Sequence, residues 1–222
     1  MQKRSTGRRD SATIRPMHFW RKESFSTLKD VAAKARAVPL WFDYADFCVE
    51  YERGLRSAAF EILEGFIASM EHAPFADRRQ FVSWLSRQAE GREGRHVLIP
   101  QPLQIRVVEP TLVEWTMIEP SCSEPHLWLG GYDHVKRAFE LDPDNQLARR
   151  KLIILIWGQV NFNAHELPAG YLGEIDKDLA ALSEVEELLK GLLDEKDRLR
   201  LAADLAEDRR LVEEYSRKQS GQ

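Results

Sequence analysis

The chain has 222 residues, 43% of them hydrophobic and 31% charged, with a formal net charge of −4 at pH 7. That length suits one large or two small domains with a substantial core, and so small a charge imbalance argues against a chain built as a whole to grip nucleic acid or an anionic membrane. Its two cysteines, Cys48 and Cys122, are too few for a disulfide framework or a zinc knuckle. They fit a reducing cytoplasm, and the longest apolar run, Leu152 to Trp157, is too short to span a bilayer.

Basic residues crowd the start: Lys3, Arg4, Arg8, Arg9, Arg15, Arg21 and Lys22 stand against Asp10 alone. No apolar core of a secretory signal accompanies them. Residues 1–16 read as a disordered tail, with Met17 an alternative start. Thr27 opens the first expected helix, where Leu28, Val31, Ala32, Ala35 and Val38 recur at helical spacing until Pro39. A second helix runs from Leu40 to about Glu52, and Gly54 breaks it. The third carries the stripe Leu55, Ala58, Ala59, Ile62, Leu63, Phe66 and Met70, and Phe81, Trp84, Leu85 and Ala89 mark a fourth after Pro74.

From His96 to Ile118 the pattern turns β-like. Leu103-Gln104-Ile105-Arg106-Val107 alternates, and Glu109-Pro110-Thr111 reads as a turn into a partner strand carrying Val113, Trp115 and Met117. Pro100, Pro102, Pro110 and Pro120 limit this to short edge pieces. Helices resume at His126. Leu152 to Trp157 is apolar nearly all round and reads as a central helix, followed by a connecting loop from Asn161 to Gly173. Leu179, Leu182, Val185, Leu189 and Leu192, then Leu201, Leu205, Val212 and Tyr215, give two acidic closing helices.

The expected fold is therefore mostly α, built of antiparallel helical hairpins with a small β-hairpin insertion. Its divisions are a basic tail at 1–16, an N-terminal helical part at 17–95, a β-hairpin and loop at 96–125, a C-terminal helical part at 126–217 and a tail at 218–222. Together they make one compact domain.

Gly131 to Val160 is the most informative stretch. A helix bearing Val135, Ala138 and Phe139 stops at Asp142-Pro143-Asp144-Asn145, and a second begins at once with Leu152, Ile153 and Ile156 on one face. Gly131, Val135, Ala138 and Pro143, followed by Leu152, resemble the seam between two tetratricopeptide repeats. A fainter copy lies at Trp41, Tyr44, Ala45 and Cys48, then Ala58, Ile62 and Gly65, so the match is partial and irregular. The resemblance implies an interaction groove in which Arg150, Lys151, Ile154 and Trp157 face a protein partner. The basic pair has a second reading, internal pairing with Asp142, Asp144 or the acidic C-terminal helices.

Catalytic signatures are missing: the sequence holds no phosphate-binding glycine loop, HExxH, nucleophile elbow or CxxC. No catalytic residue, cofactor or metal is therefore assigned. The leading expectation is a non-enzymatic, cytoplasmic protein–protein interaction protein, its closing helices available for dimerisation. A narrower version is a bacterial immunity or antitoxin protein whose acidic surface caps a basic toxin. An alternative from another class is a small metal-dependent hydrolase around His126, His134 or His165, and convergence of those histidines would mark it.

Overall fold

Apolar residues at helical spacing run almost without interruption along the chain, and 81% of the described residues are helical. The structure is a computed structural model and describes residues 22–92, 94–167 and 169–220. The expected basic tail at 1–16 and the start at Met17 lie outside the described residues.

The first unit comprises residues 22–74 and 84–107. Helix α1 spans Lys22–Ala35, so it begins before the expected opening at Thr27. Pro39 holds Val38 extended (φ −119°, ψ 114°) and then opens a 3₁₀ turn, Pro39–Trp41. Helices α2 (Phe42–Glu52) and α3 (Arg56–Glu71) follow, with α2 packed between α1 and α3. Leu28, Val31, Ala32, Tyr44, Phe47, Leu63 and Phe66 are buried between them. Helix α4 spans Phe75–Ala89, and its second half belongs to this unit, where Trp84 lies 4.8 Å from Trp41 between ring centroids. The Tyr44 hydroxyl donates to the Leu98 carbonyl at 2.8 Å, and burial raises its pKa well above the usual tyrosine value.

The expected β-hairpin is overturned, because no strand occurs among the described residues. His96 to Ile118 instead forms two single turns, α5 (Arg95–Leu98) and α6 (Gln101–Leu103), then a π-helical turn at Gln104–Val108 and helix α7 (Glu109–Ile118). The prolines explain the difference. Pro102 is the second residue of α6, where an amide hydrogen has no partner to lose, and Pro110 is the second residue of α7, directly after the π-helical turn. A strand would put Leu103, Ile105 and Val107 on one face, yet Leu103 and Val107 are buried while Ile105 is 55% exposed.

The second unit comprises residues 75–83 and 108–220 of the described chain. Helices α8 (Ser123–Leu129), α9 (Gly131–Leu141), α10 (Gln146–Ala164), α11 (Ile175–Lys190) and α12 (Glu195–Ser220) pack successively, and α10 also reaches α12. Val135, Leu152, Ile153, Ile156, Leu182, Val185, Leu189, Leu201, Leu205 and Val212 form its core. The Asp142–Asn145 stop is real. Asn145 caps α10 by accepting from the Leu147 and Ala148 amides, each at 3.1 Å. Two boundaries differ from expectation: α10 continues through Ala164, and α12 reaches Ser220 through most of the expected tail. Among the described residues no helix is long and apolar enough to cross a membrane.

Ala138 and Val135 are buried at the α9 seam, as a close helix crossing requires. Gly131 serves a different end. It has φ +71°, it is exposed, and a Cβ there would meet nothing within 4 Å, so backbone conformation and not helix approach calls for glycine. In the fainter upstream copy, Ala58 and Gly65 are likewise exposed.

Candidate partner-binding face

Helix α10 has three sides in use. Ala148, Leu152, Ile153, Ile156, Val160 and Ala164 are buried. One flank meets α12: the Arg150 Nε donates to the Asp197 carboxylate at 2.5 Å, and the Trp157 Nε1 donates to the Asp208 carboxylate at 2.6 Å. The other flank meets α8, where the Lys151 Nζ lies 4.8 Å from the centroid of the Trp128 ring, within cation–π range.

Of the residues expected to face a partner, Arg150, Lys151 and Trp157 are thus engaged with neighbouring helices of their own chain. Arg150 uses Asp197, not Asp142 or Asp144. Burial pushes the Asp197 carboxyl up, but hydrogen bonds from Arg200 and Arg150 outweigh it and hold the group below its usual value. Ile154 stands outward, at 36% exposure.

Ile154 has company that the sequence did not reveal. Gly158 and Phe162 follow it at intervals of four residues, on the same face. Phe162 is 59% exposed and stacks against the His165 ring at 5.1 Å between centroids. A Cβ at Gly158 would meet nothing within 4 Å. The helix therefore presents a notch between two apolar side chains, spaced about 12 Å apart along its axis at 1.5 Å per residue. Reading Asn161 onward as loop hid Phe162, although its spacing from Ile154 was there to be extended.

On α11 and α12, Asp178 and Asp208 are buried and answered by neutral donors. Asp208 also accepts from the Asn161 amide at 3.1 Å. Asp178 accepts from the Asn163 amide at 2.9 Å and from the Tyr171 hydroxyl at 2.5 Å. Burial, the Asp178 hydrogen bond and nearby negative charge all raise the Tyr171 pKa, so this hydroxyl remains a donor. Gly173 is fixed by the same network, since a Cβ there would run into the Asp178 carboxylate and the Asn163 amide.

The acidic character of the closing helices is largely answered from within. Arg210 bridges Glu207 and Glu214, Arg209 bridges Glu186 and Glu213, and Arg200 pairs with Asp197 and Asp204. The histidines partly converge. His126 and His134 meet with Nδ1 atoms 3.1 Å apart, whereas His165 turns to the Phe162 carbonyl and Glu166. Among the described residues no group of three or more His, Cys, Asp or Glu could hold a metal ion.

No protein-family model, curated protein or solved structure matches the chain.

Proposed function

We propose that this chain is a non-enzymatic, cytoplasmic protein–protein interaction protein whose α10 face receives an amphipathic helix of a partner. The observation that carries this reading is the outward stripe Ile154, Gly158 and Phe162 on a helix whose other faces pack against α9, α11 and α12. Buried contacts and the Arg150 and Trp157 hydrogen bonds fix the helix, so the face is rigid before any partner arrives. Rigid apolar faces limit the ordering cost of association, and helices recognise such surfaces with side chains three, four and seven positions apart. In this reading one such side chain of the partner enters the Gly158 notch between Ile154 and Phe162. Helix α7 also exposes Val113, Met117 and Ile118, but no glycine lies between them to open a notch. Cys48 and Cys122 as free thiols accord with a reducing compartment.

Incorporating p-benzoylphenylalanine at position 158 and irradiating cells tests the face directly. The expected result is a discrete protein adduct that disappears when Ile154→Glu and Phe162→Glu are added and is absent when the probe sits at exposed Lys136. No adduct at 158, or an identical one at 136, overturns the proposal.

A further inference from the structure

We infer that His126 and His134 form a chelating pair for one divalent first-row transition ion, bound through their Nδ1 atoms at the turn between α8 and α9. Two consecutive residues with positive φ make this turn, Gly130 at 73° and Gly131 at 71°. Only glycine enters that region without strain. The reversal sets His126, late in α8, against His134, early in α9, although they are separated by eight positions.

Both helices are anchored. In α8, Pro125 and Leu127 are buried and the Trp128 Nε1 donates to Glu124 at 3.1 Å, while Glu124 also accepts from the Ser83 hydroxyl at 2.7 Å. In α9, Val135 and Ala138 are buried. The imidazoles thus project from fixed backbones into a common position, with Nδ1 atoms 3.1 Å apart and ring centroids 5.3 Å apart.

That separation fits a metal. With nitrogen–metal bonds of about 2.05 Å, two nitrogens 3.1 Å apart subtend roughly 98°, between the angles of octahedral and tetrahedral coordination. The rings now lie end to end, one nitrogen donating and the other accepting according to the tautomers present. A metal in place of the shared proton draws the centroids to about 4.8 Å, a modest swing for side chains with solvent beside them. Burial, the neighbouring His134 and Arg137 all lower the His126 pKa, which favours the neutral imidazole that ligates metal. Imidazole pairs suit copper, nickel and zinc, with copper(II) bound most tightly. Water completes the coordination, giving an open, exchangeable site and not a closed structural one.

Sequence spacing conceals the pair, since eight positions match neither the i, i+4 spacing of one helix nor a zinc-finger pattern. The double-glycine turn supplies the missing proximity.

The test is a titration of the full chain with copper(II) chloride near neutral pH, read by calorimetry and electron paramagnetic resonance. One equivalent is expected, with hyperfine splitting from two imidazole nitrogens, bound roughly tenfold or more tightly than in His126→Ala or His134→Ala. His165→Ala serves as control and retains the parent affinity, and far-ultraviolet circular dichroism verifies that each variant is folded. Equal affinity in either pair variant, a spectrum without two nitrogens, or equal loss in the His165 control overturns the assignment.

Discussion

In the first unit Trp41, Tyr44, Phe47, Tyr51 and Phe66 are buried in a run of ring contacts, whereas in the second unit the buried cluster around α10, α11 and α12 is aliphatic and buried carboxylates are threaded between these helices. Aromatic rings bury large areas, and both offset and edge-to-face contacts satisfy them. Asp178 and Asp208, by contrast, must each meet specific donors, so helices α10, α11 and α12 have one acceptable register. The same element type, the amphipathic helix, is thus specified by shape in one unit and by hydrogen-bond matching in the other.

The largest expected effect tests the shape side. Phe47→Ala removes a fully buried ring and should cost about 3–5 kcal/mol, measured by urea denaturation. Cys48, its fully buried neighbour with a thiol pushed up to about 12 by burial, provides a local reading. It should resist alkylation in the native chain and lose that protection in the variant, while partly exposed Cys122 reacts in both.

The hydrogen-bonded side should respond more modestly. Asp208→Ala leaves the Trp157 indole and the Asn161 amide without their acceptor and should cost about 1–3 kcal/mol by the same assay. A cost equal to that of Phe47→Ala would erase the contrast between the units.

Smallest is the half-exposed Arg150–Asp197 pair. Arg150→Glu should lower stability by about 1 kcal/mol or less. Since the Asp197 carboxyl is held below its usual value in the folded chain, the unfolded chain takes up its proton first as pH falls. The stabilisation is therefore full above the ordinary aspartate value of about 3.9 and disappears as pH drops through the lower folded value. Denaturation of the parent and Asp197→Asn should differ at neutral pH and converge in acid.

These effects also separate what the sequence disclosed from what it withheld. Periodic apolar residues such as Leu28, Val31 and Ala35, or Leu201, Leu205 and Val212, announced their helices because one buried face repeats locally. The stretch around Leu103 to Val107 misled because β-branched residues flanked by prolines suit both an edge strand and a helix start, and only burial of Leu103 and Val107 with exposure of Ile105 decides. The site was harder still. Arg150 and its acceptor Asp197 are 47 positions apart, and Trp157 and Asp208 are 51 apart. A local pattern finds the helix face but not the chain that will cover it. Ile154 stands outward for want of such a cover, and Phe162 lies beyond the point where the apolar pattern ends the helix.

Arg149 carries a consequence for engineering. Its guanidinium donates to the Pro143 carbonyl just past α9 at 2.8 Å and to the Leu188 carbonyl near the end of α11 at 3.4 Å, and it lies over the Phe139 ring. A Cβ on Gly191 would run into it. One cation is thus shared between the exits of two different helices, each the negative end of its dipole. A fragment cut after α10 would keep the arginine but lose an acceptor, and one transplanted without α9 would lose another. Helical hairpins in regular arrays can be shuffled because each needs only its neighbour's surface. Here α9, α10 and α11 are inherited together or not at all.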